Sequence, residues 1–190
     1  MPILDKVMRA PRPLVILAEN VEGTALSMLV HNHVNRIFQC VAVRAPGFGD
    51  RRLRKLEDIA ALTGGDVYSK HSGFTLETMT VAQLGRASQV RVTADNTTII
   101  GGSGSKEAVE FRLTQMRSEL GRAQFGIDED VLNERIGALS GKVAVISVGA
   151  AAVVASRSSS TAFGSIGSSA PSRSATAVLP RSSRDRKSVV

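Results

Sequence analysis

The residues that most resemble a ligand-binding loop are the run GGSGSK at positions 101–106. The run stands between a predicted strand and a predicted helix, where phosphate-binding loops lie because a helix N-terminus presents free N–H groups. A P-loop requires Gly-Lys-Ser/Thr after four spacer residues, whereas Lys106 is followed by Glu107. The dinucleotide fingerprint also fails because its third glycine is missing. We therefore interpret the run as a flexible connection.

The histidines and the acidic cluster lack the spacing of a metal or catalytic site. His31 and His33 are two residues apart, so on a helix they diverge by about 200° and cannot share a metal ion. His71 is remote in sequence. The cluster at residues 128–130 (DED) is typical of the first turn of a helix, where acidic side chains interact with the helix dipole. Of the classes considered, an enzyme is the least supported.

Charge and cysteine content limit the class of partner. The net charge is +7, but the six basic residues and one acidic residue of positions 153–190 supply +5, which leaves +2 for residues 1–152. An argument for nucleic-acid binding therefore applies only to the tail. In the body, the basic run at 51–55 (RRLRK) is either a solvated helix start or an anion contact. The single Cys40 excludes an internal disulfide and suits a reducing compartment.

No targeting or membrane segment is evident. The apolar run at 14–18 is too short for a signal peptide, and the longest weakly polar run, 143–154, is shorter than the roughly 20 residues of a membrane span. We expect a cytoplasmic protein without a membrane partner.

The elements that must position these residues follow from hydrophobic periodicity, which predicts an α/β fold with a mixed sheet flanked by helices. Asp50 and Asp128 are predicted helix N-caps, Gly64 a helix end, and the last two helices a hairpin. Strands are predicted at residues 14–18, 39–44, 66–68, 89–93, 97–100 and 143–148, and helices at residues 1–10, 24–34, 51–62, 106–124 and 129–139.

The helix at 24–34 carries more apolar side chains than one buried face needs. One broad face is shared by Leu26, Leu29, Val30 and Val34. Two further apolar residues, Ala25 and Met28, lie well round from that face. Taken alone, this pattern favours a helix whose apolar residues belong to the core; the alternative is a surface that binds a partner.

After residue 152 the composition changes abruptly. Serine makes up 12 of the 38 residues at 153–190, with scattered arginines and no apolar period. Such a segment buries too little apolar surface to offset its ordering entropy, so we expect disorder. The sudden loss of periodicity resembles translation in a shifted reading frame.

With these segments identified, the chain resembles the group I chaperonins, the bacterial GroEL family. The matching segments occur in the family's order and spacing, and APGFGDRR is the most specific of them. They are residues 13–30 (PLVILAENVEGTALSMLV), 41–52 (VAVRAPGFGDRR), 58–65 (DIAALTGG), 97–100 (TTII) and 143–151 (VAVISVGAA). The resemblance implies a partial apical domain at 1–142, the start of the intermediate domain at 143–152 and a divergent tail at 153–190.

The resemblance also implies a function. Chaperonins are double rings that bind non-native polypeptides on apolar apical surfaces and enclose them under a GroES-type co-chaperonin, driven by ATP and magnesium. The second helix of the apical groove matches the helix at 24–34. The family's polypeptide- and lid-binding positions on this helix fall on Leu26, Val30, His31 and Asn32.

The chain departs from the family in several ways. His31 stands where the family usually has an apolar residue, and Lys142 replaces the second glycine of a hinge pair, where positive φ is costly for lysine. The first half of the apical domain, the equatorial domain and the catalytic aspartate have no counterpart. No cofactor site is therefore assigned in this chain, although the intact family is an ATPase.

Three interpretations remain open. The chain is a polypeptide-binding fragment that acts without ATP, an inert remnant of a truncated chaperonin gene, or a nucleic-acid binder acting through its basic tail. The third is the weakest because residues 1–152 are nearly neutral. Membership of a chaperonin ring is implied by the resemblance, but the family's main ring contacts belong to the equatorial domain, which has no counterpart in this sequence.

Overall fold

The computed structural model of the chain describes residues 2–8, 12–69, 78–93, 96–122, 126–147 and 175–178. These residues form an α/β fold, as predicted. The helices are α1 (Pro2–Met8), α2 (Gly23–Val34), α3 (Gly49–Thr63), α4 (Lys106–Leu120) and α5 (Ile127–Ser140). The strands are β1 (Leu14–Ala18), β2 (Cys40–Arg44), β3 (Gly85–Val92), β4 (Asn96–Gly102), β5 (Val143–Ser147) and β6 (Ala175–Val178).

The strands form a mixed sheet in the order β2-β1-β6-β3-β4-β5. β1 runs parallel to both β2 and β6, whereas β3, β4 and β5 are joined by antiparallel pairing. All five residues of β1 are buried, as the continuous apolar run predicts for a strand that is covered on both faces.

Two separate cores lie on opposite sides of the sheet because successive residues of a strand face opposite ways. Val15 and Leu17 enter the core built with α3, α4 and α5, which we call the three-helix face. Leu14 and Ile16 enter the core built with α1 and α2, which we call the α2 face.

The predicted helical hairpin is confirmed on the three-helix face. Val109 and Leu113 of α4 and Leu132 and Leu139 of α5 are buried in one cluster. α4 ends at Leu120, four residues before its predicted end, and residues 123–125 lie outside the described part of the chain.

Both predicted N-caps are wrong. α3 begins after Phe48 and α5 begins after Gly126, so Asp50 and Asp128 lie inside the first turns. There they keep the favourable position of an acidic side chain near the positive end of the helix dipole without capping the helix. The predicted end of α3 is confirmed, since Gly64 adopts a left-handed φ of 74°.

Two strand predictions need correction. Residues 66–68 do not form a strand, because only Val67 makes an isolated bridge. β3 begins at Gly85, four residues before its predicted start at residue 89. A 3-10 turn at Val81–Gln83 precedes β3, and Thr80 and Gln83 close this turn with a capping box.

The prediction of disorder for the tail is wrong at β6, whose four residues form a strand between β1 and β3. The hydrophobic period misses this strand because its sequence, ATAV, is short and composed of small and β-branched residues. The open position in the sheet supplies backbone partners on both sides. The other residues of 153–190 lie outside the described part of the chain.

Candidate functional site

Two residues of α2 are buried against the sheet, so only a narrow part of the helix surface is covered. Ala25 and Leu29 are both fully buried and point into the core of the α2 face. The Cys40 thiol, which lies on the neighbouring strand, donates to the Leu29 carbonyl at 3.6 Å. Ala25, which was predicted to lie well round from the broad apolar face, is instead buried beside Leu29, whereas Val30 and Val34 of that face are exposed. Periodicity finds the apolar sectors of a helix, but it does not say which sector is covered.

A line of aliphatic side chains therefore runs along the outer flank of α2. Leu26, Val30 and Val34 are spaced four residues apart and lie one above the other, a set that we call the α2 stripe. Leu26 is half-buried against the core, Val30 is 37% exposed and Val34 is 69% exposed. Ile37 follows in the next turn of chain and is 55% exposed. The exposed fraction of the α2 stripe thus rises from Leu26 to Val34, toward the C-terminal end of the helix.

The four positions assigned by the resemblance do not all share this stripe. Leu26 and Val30 belong to it, and His31 is exposed beside it, three residues before Val34. Asn32 lies on the opposite flank, where its backbone carbonyl accepts from the amides of Ile37 and Phe38 at 3.0 and 3.3 Å. This arrangement gives Asn32 a role in closing the end of the helix.

Val34 is the stripe residue that the family positions omit. The signal that identifies it is the continuation of the four-residue spacing from Leu26 through Val30. Next to it, His31 is tied to Asn35: the Asn35 side-chain amide donates to the His31 carbonyl at 2.8 Å, and its nitrogen lies 3.2 Å from His31 Nδ1. His31 thus brings a polar ring to the edge of the stripe.

The APGFGDRR turn is built around a buried arginine. Arg52 is 6% exposed, donates from Nε to the Gly47 carbonyl at 2.9 Å and forms an ion pair with Glu19. Its guanidinium also lies 5.5 Å from the centre of the exposed Phe48 ring. These contacts join the turn between β2 and α3 to the end of β1, so this segment has a structural role in positioning the sheet ends.

Other members of the basic run are also engaged within the chain. Arg51 pairs with Asp128 at 2.9 Å and Arg54 with Glu119 at 3.4 Å. Both pairs are exposed, so each contributes little to stability. They nevertheless favour the interpretation of this run as a helix surface over that of an anion site.

The glycine-rich connection before α4 is a packed segment and not the flexible one expected from its composition. A Cβ on Gly104 would lie 1.9 Å from the Ala61 carbonyl oxygen, and one on Gly102 would lie 2.1 Å from that of Leu62. The Gly104 amide donates to the Leu62 carbonyl at 2.9 Å, and the Ser103 amide to that of Arg86. The glycines thus allow close approach to the end of α3, and these two amides are occupied within the chain.

A partly buried carboxylate connects the three helices on the other side of the sheet. Asp58 of α3 accepts from Arg112 of α4 at 2.7 Å and from Arg135 of α5 at 2.6 and 3.0 Å. Burial by itself would lower the pKa of Arg135, but its hydrogen bond and charge interaction with Asp58 raise it overall. Asp58 therefore acts as a shared structural anchor for the three-helix face.

The junction between α5 and β5 contains a strained residue. Lys142 has a φ of 53°, in the left-handed region that glycine adopts readily and lysine does not. This is the position at which the resemblance expects the second glycine of a hinge. The fold accommodates lysine there at the cost of backbone strain.

The described part of the chain offers little support for small-molecule chemistry. A cavity between α3, α5 and β5 has a volume of about 60 Å³, well below the several hundred Å³ of most ligand sites. Among the described residues, no cluster of three or more His, Cys, Asp or Glu side chains is arranged to hold a metal ion. None of the described helices has the length and apolar character needed to cross a bilayer.

No protein-family model matches the chain.

Proposed function

We propose that the chain is a polypeptide-binding fragment of a group I chaperonin, which captures non-native polypeptides on the α2 stripe without ATP. The observation that carries the proposal is the exposure of Val30 and Val34 on a helix whose packing is completed by Ala25 and Leu29. A continuous apolar surface is unfavourable in water unless a partner covers it.

The chemistry of the stripe suits an unfolded partner. Fully burying one large aliphatic side chain contributes about 1.5–3 kcal/mol, before the cost of ordering the partner is subtracted. The uncovered fractions of Val30 and Val34 together correspond to roughly one such side chain. Binding is then weak and depends on apolar content rather than on a particular sequence, which is appropriate for non-native chains.

The same surface would serve a second partner. A GroES-type co-chaperonin is expected to compete with polypeptides for Val30 and its neighbours, because the resemblance assigns both partners to this helix. The cytoplasm is the proposed compartment, and the buried free thiol is consistent with it. Burial raises the pKa of Cys40 to about 11, so the side chain stays protonated at neutral pH.

The first test is suppression of aggregation. A chemically denatured client is diluted into buffer with the purified chain, and light scattering is followed without ATP. We expect the wild-type chain to reduce scattering and Val30→Ser/Val34→Ser to lose most of that effect. Leu26 is left unchanged because it packs partly against the core, so its substitution would confuse binding with stability.

The matched control is Phe111→Ser, which removes a 66% exposed apolar side chain from α4 on the other side of the sheet. It should suppress scattering as the wild-type chain does. Thermal melts of all three proteins establish that each is folded. Equal suppression by the wild-type chain and the double variant would refute the proposal.

A further inference from the structure

The central position of the sheet is occupied by a strand that is remote in sequence from both of its neighbours. β6 pairs in parallel with β1, where Thr176 lies opposite Leu14, and antiparallel with β3, where Thr176 lies opposite Arg86. Each ladder is only three residue pairs long, compared with five pairs between β1 and β2 and five between β3 and β4.

Without β6, the two halves of the sheet would each present an open edge. β1 would lose its backbone partners at Leu14–Ile16 although its side chains are buried on both faces. β3 would lose those at Gly85–Ala87. Unpaired N–H and C=O groups in such a position are costly and act as a template for another extended chain.

We propose that the gap between β1 and β3 is a strand-acceptor slot, which binds a short extended peptide of small and β-branched residues and in which β6 is an exchangeable occupant. Recognition would come from the backbone ladders on both sides, as in other cases of strand addition. On β3, Gly85 and the fully buried Ala87 lie opposite Ala177 and Ala175, so the bound peptide is expected to carry small side chains at these two positions.

This slot is separate from the α2 stripe, so the inference does not depend on the proposed function. β6 has an advantage over a free peptide because it belongs to the same chain, and linkage within one chain gives an effective concentration of up to about millimolar. A free peptide of the same sequence, supplied at about 1 mM, is therefore expected to compete with it.

Exchange is tested by disulfide capture, which detects weak binding. The full chain carrying Arg86→Cys is mixed with a synthetic peptide of residues 172–181 carrying Thr176→Cys in a glutathione redox buffer. Directly opposed residues of an antiparallel pair have Cα atoms about 4.5–5.5 Å apart, within the range that a disulfide spans. Arg86 is exposed, so its replacement should leave the fold intact. The native Cys40 is buried and stays protonated, which keeps it out of the exchange.

The control peptide carries Ala177→Cys, because Ala177 lies opposite Gly85 and not opposite Arg86. Intact mass spectrometry should show at least tenfold more capture of the first peptide than of the control. Equal capture of the two peptides would mean that the slot does not bind in register, and would overturn the proposal.

A second protein tests whether β6 is the competitor. Thr176→Pro/Ala177→Pro in the same Arg86→Cys chain removes two ladder donors from β6 and should raise capture of the matching peptide several-fold. Unchanged capture would show that β6 does not compete for the slot. Loss of capture together with loss of the thermal transition would show that β6 is a fixed part of the fold, which also overturns the proposal.

Discussion

The two faces of the sheet are built in different ways. On the three-helix face, α3, α4 and α5 cover a continuous apolar core, and Asp58 ties the three helices together through Arg112 and Arg135. On the α2 face, the corresponding helix is attached through Ala25 and Leu29 and leaves the α2 stripe partly uncovered. Apolar side chains are exposed on both faces, but on α2 two of them, Val30 and Val34, follow one another along a single flank of one helix, which is the arrangement that the proposed function uses.

The contrast between the two faces predicts that stability and binding can be changed separately in this protein. Changes on the three-helix face should alter the free energy of unfolding and leave binding by the folded fraction unchanged. Changes on the outer flank of α2 should do the reverse.

Asp58→Asn should be the most damaging substitution. It removes the negative charge between Arg112 and Arg135, and Arg135, which is only 9% exposed, loses the carboxylate to which it donates. Breaking a buried ion pair in this way costs about 3–5 kcal/mol. Urea denaturation followed by circular dichroism measures the change.

The control for Asp58→Asn is Asp128→Asn, which removes the acid of the exposed pair with Arg51. It should change the free energy of unfolding by less than about 1 kcal/mol. If both substitutions had the same small effect, Asp58 would not be the anchor described here.

Gly104→Ala should also destabilise the chain, by about 2–3 kcal/mol, because the added methyl group would meet the Ala61 carbonyl oxygen at 1.9 Å. Gly137→Ala is the matched control: it lies within α5, and its added methyl group meets no atom within 4 Å. Alanine favours a helix over glycine by about 0.5–1 kcal/mol, so this variant should be stabilised. Thermal melts of the two proteins should shift in opposite directions; a neutral Gly104→Ala would contradict the packed arrangement of the loop.

The part of the fold that depends on local periodicity could be predicted from the sequence. The continuous apolar run of β1 predicted the strand and its burial correctly, and the pattern of residues 106–124 predicted the helix α4. The grading of exposure along α2 could not be predicted, because a helix with several apolar sectors does not reveal which of them meets the sheet. The Asp58 cluster could not be predicted either, because Arg112 and Arg135 lie 54 and 77 positions from Asp58 along the chain.

β6 shows a different limit of sequence reasoning. Its residues have no apolar period, and serine-rich segments surround them. Residues 175–178 form a strand because their backbone pairs with β1 on one side and β3 on the other. These partners come from the folded sheet and cannot be read from the local sequence.

Lys142→Gly should stabilise the chain by about 0.5–1 kcal/mol. The left-handed backbone at φ 53° costs a residue with a Cβ about 1–2 kcal/mol, part of which glycine loses again through its greater freedom in the unfolded state. Lys142→Ala keeps the Cβ and should bring no gain, which separates backbone strain from the loss of charge. A less stable glycine variant in urea titrations would contradict the assignment of strain.

His31→Val should improve binding modestly without affecting stability. It extends the apolar surface beside Val34 and is expected to tighten client binding about three- to fivefold, equivalent to roughly 0.7–1 kcal/mol. Thr114→Val, an exposed position on α4, adds an aliphatic side chain to the three-helix face and should leave affinity unchanged. Equal gains from the two variants would mean that binding depends on overall surface hydrophobicity.

The most direct test of the contrast between the faces is an affinity measurement with a permanently unfolded, fluorescently labelled polypeptide. Its dissociation constant is determined by anisotropy for the wild-type chain, Val30→Ser/Val34→Ser and Phe111→Ser at matched folded fractions. We predict that the double variant binds about tenfold more weakly, since its two substitutions remove about 1.4 kcal/mol of apolar burial, and that Phe111→Ser binds as the wild-type chain does. Equal affinity of all three proteins would contradict the assignment of polypeptide binding to the α2 stripe.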